Sequence, residues 1–193
     1  MRALAPAARA DLEDIVSRDL DSIRSALAGV VISEPVFAIC LHYTPESAEL
    51  LDPPAVYVGT DSDRRRALAA GGPVEVFSAI WNPMEYTGAE VVPESSLRED
   101  AAFMALEERL VPALHLAGVD EPRRLVLNQV ARRLSEAPVI EPVSDDYVAF
   151  VMDHGFHERL LENLRTAAPP AVAARLRQRG LLPDSIDELR QAT

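Results

Sequence analysis

Leu12, Ile15, Val16, Leu20, Ile23 and Leu27 recur three and four residues apart, with Asp11, Asp14, Arg18, Asp21 and Arg24 between them. That spacing places one apolar stripe along a helix over about residues 10–28, which Gly29 ends. The next pattern is different in kind. Val36–Tyr43 is apolar at both parities until His42, the signature of a strand covered on both faces, and Pro45 stops it. Ala55–Gly59 reads as a second strand, and Val74–Trp81, in which Glu75 interrupts an apolar run, as a third. Tyr147–Met152, nearly continuous in apolar character, reads as a fourth.

Helical spacing returns from Ser96 to Ala117, through Leu97, Ala101, Met104, Leu106, Leu110 and Leu114. Ser96 and Glu99 stand in capping-box register there, and Pro112 is expected to kink or shorten the helix. Glu121–Ser135 predicts another helix, and the proline-flanked Ala137–Pro142 an extended linker or loosely attached edge. The carboxy-terminal part, about residues 156–191, predicts helices marked by Phe156, Leu160, Leu161 and Leu164, then by Val172 and Leu176 after the Pro169-Pro170 break, with a short terminal helix from Asp184 to Gln191. These elements predict one globular domain over residues 1–193, of α/β or α+β class, with a central sheet of about four strands covered by helices. A chain of 193 residues can bury roughly 70% of its extended surface, enough for a core without cross-links. Asn82–Ser96, with two prolines, a glycine and no period, is the expected specificity loop.

Charge narrows the partners. The formal net charge is −12, so a nucleic acid or an anionic bilayer is disfavoured unless arginines cluster, and a basic partner is favoured. Arginines do cluster, at Arg64-Arg65-Arg66 and at Arg123-Arg124 with Arg132-Arg133. The first cluster follows Thr60-Asp61-Ser62-Asp63, a helix N-cap region, and the second flanks an apolar helical stripe, so both read as solvated or paired surface charge. All 19 basic residues are arginine, a composition expected of a GC-rich bacterial genome. Cys40 is the one cysteine and lies in an apolar strand, which fits a reducing compartment and a buried inert thiol. The amino terminus holds no apolar run of signal-peptide length and no segment has the length of a membrane span, so the expected location is cytoplasmic.

Candidate chemistry concentrates where the fourth strand ends. Asp153 and His154, followed by His157 and Glu158, could form half of an acid-base or metal site, because a carboxylate beside a histidine fixes its tautomer. A zinc site needs a third or fourth ligand, and His42 and His115 lie in other elements, so no metal is expected. No GxSxG elbow, GxGxxG turn or P-loop is present, and no cofactor is expected. Trp81 and Tyr86 flank the long loop as aromatic anchors.

Ala79-Ile80-Trp81-Asn82-Pro83-Met84-Glu85-Tyr86 and the pattern from Tyr147 to Pro183 together resemble a bacterial family of uncharacterised proteins, domain of unknown function 4303. Trp81, Pro83, Glu85 and Tyr86 match its middle element, and Val151, Asp153, His154, Gly180, Leu182 and Pro183 its last, over roughly residues 10–183. The resemblance implies a small cytoplasmic α/β or α+β protein, some relatives being immunity-type or interaction proteins.

The functional expectation is an acidic protein that binds and neutralises a basic protein partner. Trp81, Glu85, Tyr86, Asp153, His154, His157 and Glu158 would form one binding face. Two alternatives stay open: a small hydrolase or isomerase using Asp153 and His154 as catalytic residues, and a structural or self-assembling component.

Overall fold

A computed structural model describes residues 3–44, 53–69, 71–93, 101–153 and 157–191. Helix α1, Pro6–Leu27, is followed by β1, Val36–His42, β2, Ala55–Thr60, α2, Asp61–Leu68, and α3, Pro73–Ile80. A 3-10 turn at Pro83–Glu85 leads into β3, Ala89–Val91. Then come α4, Ala101–Leu116, α5, Pro122–Glu136, β4, Val143–Met152, α6, His157–Ala167, α7, Pro170–Gln178, and α8, Ile186–Gln191. The class is α+β: a mixed four-stranded sheet in the order β3-β2-β1-β4, flanked by helices.

β1 is the organising strand. It pairs antiparallel with β2 (Ile39 opposite Val58) and parallel with β4 (Ile39 opposite Ala149). Because helices cover both faces, every residue from Val36 to Leu41 is at most 2% exposed, as the two-parity apolar run requires. Val36, Ile39 and Leu41 pack with Ile15, Leu110 and Val130 on the face carried by α1, α4 and α5. Cys40 and Phe37 pack with Phe77, Trp81, Leu164 and Leu176 on the other. Phe37 and Ala38 break the alternation by facing the same side, and the register shift between Val36 and Ala38 is the cause.

One predicted strand is a helix. Val74–Trp81 lies in α3 and its cap, and the fourth place in the sheet goes to β3, inside the stretch expected to be loop. The β-branched valines suggested a strand, but Pro73 opens the segment at the first helical position, Glu75 sits in the first turn, and Phe77, Ile80 and Trp81 bury one helical face. The helix starts earlier than the sequence suggests at α1, and β4 begins at Val143 instead of Tyr147. Pro112 lies inside α4, which runs on to Leu116. Ser96 and Glu99 fall outside the described residues.

β4 is an edge strand ten residues long, and its outer edge is occupied by side chains. The Ala149 N–H donates to Ser135 Oγ of α5 (2.8 Å), whose hydroxyl lies within hydrogen-bonding reach of Ala149 O (3.2 Å) and Ala131 O (2.9 Å). Asn163 Nδ2 of α6 donates to Val151 O (3.0 Å), and Arg175 of α7 donates to Asp145 O. An edge this long, apolar from Tyr147 onward, would otherwise template another strand.

Asp19 of α1 and Arg123 of α5, each 3% exposed, pair across the helical layer. Burial raises the Asp19 carboxyl above its ordinary value, and Arg123 offsets this in part. A buried pair of this kind costs nearly as much to desolvate as it returns. Asp19→Ala should therefore lower unfolding free energy by about 3–5 kcal/mol, whereas Asp19→Leu with Arg123→Met should cost far less, within about 1 kcal/mol of the parent. Denaturant melts of the three variants check both values.

Candidate functional site

The residues expected to form one face occupy different parts of the molecule. Trp81 is 1% exposed: its Nε1 donates to Leu181 O (3.0 Å) and its ring meets Phe150 edge-on, with centroids 5.4 Å apart. It is a core residue that ties α3 to the Gly180–Pro183 segment, and it cannot anchor a partner from this position. Tyr86 is half-buried, with its hydroxyl donating to Ile80 O (2.7 Å) and its ring against Phe37. Glu85 is exposed, and its carbonyl accepts from Arg66 (2.7 Å). Glu85 and Tyr86 stand at the end of the sheet where Val36 pairs with Thr60. Asp153 follows Met152 at the opposite end, where His42 pairs with Ala55 and Met152. Six strand steps, about 20 Å, separate those ends, so the single face does not assemble. His154 lies outside the described residues, as do the side chains of His157 and Glu158 in the first turn of α6.

At the Thr60 end, Asp63 acts as a hub. Its carboxylate accepts from the backbone N–H and hydroxyl of Thr60 (2.9 and 3.0 Å), from the N–H and hydroxyl of Thr87 (3.1 and 2.7 Å), and from Arg66 (2.7 Å). These bonds pin the 3-10 turn and β3 to the start of α2.

The richer cluster forms at the other end, outside the carboxyl ends of the parallel pair β1 and β4, where open sheets leave a crevice. Asp153 is 3% exposed and accepts from Arg159 Nη1 (3.0 Å), which also donates to Glu121 Oε1 (2.7 Å). Arg124 donates to Glu121 Oε2 (3.2 Å), Glu162 Oε2 (2.5 Å) and Asn163 Oδ1 (2.9 Å). Asn128 Nδ2 donates to the same Asn163 oxygen (3.0 Å). Tyr43, whose N–H donates to Met152 O (3.0 Å), is 7% exposed, and its phenol is pushed up to about 12 by burial, with Asp153 and Glu121 adding to the rise. It stays neutral at ordinary pH.

This arrangement neutralises its cations internally and leaves acceptors over, so it suits a positively charged or N–H-donating ligand. Asp153 is the one residue singled out in the sequence that belongs to it. The sequence presents Arg124 as solvated or paired surface charge and Glu121 as a helix start; Asn128 and Asn163 are the residues it does not single out, although they fall at core positions of helical stripes, between Leu127 and Val130 and beside Leu164. Among the described residues, no group of three or more His, Cys, Asp or Glu side chains could hold a metal. Cys40 is fully buried, and burial pushes its thiol well above the ordinary value. No helix among the described residues is long and apolar enough to cross a membrane. No family model, curated protein or solved structure matches the chain.

The Asp63 hub has a pH signature. Burial raises its carboxyl, but the bonds from Thr60, Thr87 and Arg66 outweigh that and hold it below the ordinary value. A depressed carboxyl contributes stability that is fully present above its unfolded value and lost as pH falls through the folded one. Asp63→Asn should cost about 3 kcal/mol at pH 7 and flatten the acid limb of stability below about pH 4. Urea melts from pH 2.5 to 7 on both proteins measure this.

Proposed function

We propose that the protein is an acidic binding protein that neutralises a basic protein partner, as an immunity-type protein does, and that it is related to the domain of unknown function 4303 family. The observation that carries this reading is the distribution of charge. The chain has 31 acidic and 19 basic residues, and the arginine clusters are held by neighbouring carboxylates. Arg64 is held by Asp61 and Asp146, Arg66 by Asp63, Arg123 by Asp19, Arg124 by Glu121 and Glu162, and Arg133 by Glu13. Such clusters offer little to a phosphate backbone, while the excess carboxylates project a negative field that attracts cations. The hydrolase or isomerase reading is weaker, because Asp153, the carboxylate that would orient His154, is engaged by Arg159. A cytoplasmic location fits the same reading.

Affinity capture from the source organism, followed by association kinetics with the purified partner, tests it. The partner should be basic, and its association rate should fall about tenfold or more between 50 and 300 mM salt. Reversing Asp120 and Glu162 to arginine should slow association more than reversing Glu85 and Glu90, which lie toward or along the other sheet edge. A salt-independent rate, or tight binding of a nucleic acid instead, would overturn the proposal.

A further inference from the structure

Where α1 begins and α4 ends, the two helices leave an apolar groove of about 230 Å³ between them. The Asp11–Arg109 pair (3.0 Å) sets their register. Running in opposite directions from that pair, they bring Leu4, Ala5 and Ala8 against Ala113, Leu116 and Ala117, which line the groove. Alanine at four of these six positions leaves the space between the helix ends unfilled.

Leu116 stands on the rim, 79% exposed, and among the described large apolar side chains only Val31 is more exposed. The end of α4 does not require it. Gly118, at φ 82°, closes the helix: its N–H donates to His115 O (2.9 Å) and the Val119 N–H to Leu114 O (3.0 Å). The apolar contact that accompanies this cap falls to Leu114 and Val119, both buried in the core. A leucine that neither packs the core nor caps its helix is free to be covered from outside.

Charge decides what covers it. Residues 3–10 and 110–119 contain no carboxylate and one formal charge, Arg9, in a chain with 31 acidic residues. Arg9 is exposed and has no ion-pair partner among the described residues. A strongly basic partner gains nothing from such a patch, whereas an acidic surface meets no repulsion there and finds a cation. Two bodies of net charge −12 therefore approach at least cost through this patch.

We propose that two copies of the chain meet here about a two-fold axis, Leu116 of each entering the α1–α4 groove of the other. A protruding side chain and its recess on one patch are self-complementary, so the contact is isologous and closes at the dimer. Arg9 of each copy faces the carboxylates of the other, among them the exposed Glu108, two turns before Leu116 on the same stripe of α4. Two helix ends offer less than the roughly 800 Å² per partner of a stable complex, so the dissociation constant is about 10–100 µM. The inference does not depend on the basic partner, which the carboxylate-rich surface attracts elsewhere.

Sedimentation equilibrium of the full chain, from about 5 µM to 1 mM, tests it. The expected result is a monomer–dimer equilibrium in which Leu116→Gln, a change without charge, raises the dissociation constant about tenfold or more, and Arg9→Glu about threefold. Leu116 is exposed enough for its variant to keep the fold, and Val31→Gln, beyond the far end of α1, should dimerise as the wild type does. Raising salt from about 50 to 300 mM should leave the dimer as tight or tighter, because it screens the repulsion between like-charged copies. A monomer at every concentration, a dimer unchanged by Leu116→Gln, or a dimer that salt dissociates overturns the proposal. So does a monomer that binds phosphatidylcholine vesicles through Leu116, which would make a bilayer the occupant.

Discussion

The fold depends on how the outer edge of β4 is satisfied. A ten-residue strand at a sheet edge, apolar from Tyr147 to Met152, carries N–H and C=O groups that a helix-covered interior leaves without water. Each such group left unmade would cost about 1–3 kcal/mol. Ser135 of α5, Asn163 of α6 and Arg175 of α7 reach that edge from three helices. The same bonds that complete the strand therefore set the helices in place on it. The opposite edge, β3, needs less, being three residues long with an exposed Glu90.

The candidate site follows from that constraint. Asn163 cannot both cap Val151 and turn its oxygen elsewhere, so Arg124 and Asn128 meet at one acceptor, and Arg124 is thereby aimed at Glu121 and Glu162. Arg159 ties Glu121 to Asp153 at the strand exit. Strand-edge capping and the Asp153 cluster are one hydrogen-bonded system, and a substitution at Asn163 would disturb both.

Much of this was legible in the sequence where periodicity was unmixed. Helix α1 declares itself by Leu12 to Leu27, and β1 and β4 by apolar runs too short and too β-branched for buried helices. At Val74–Trp81 the β-branched residues point to a strand, whereas Pro73, the Phe77, Ile80, Trp81 spacing and the tertiary contacts of the segment favour the helix. β3 was invisible because three half-exposed residues carry no period. Trp81 misleads for a related reason: position beside a loop says nothing of burial, whereas its place at the end of α3 against Phe150 does. Of the site, Asp153 was found because it sits at a strand exit beside histidines. Asn128 and Asn163 were not, since their role depends on which strand edge α5 and α6 cover, a relation that sequence spacing does not encode.

Hydrogen exchange at the Ala149 amide tests the central claim most directly. In the wild-type protein this amide should exchange among the slowest, through global unfolding, although it lies on a sheet edge. In Ser135→Ala, a change that removes one oxygen atom from a buried position, its protection should fall by about tenfold or more beyond the loss of global stability. If Ala149 exchanges quickly in the wild type, or keeps its protection in Ser135→Ala, the β4 edge is not held by its helices and the account is wrong.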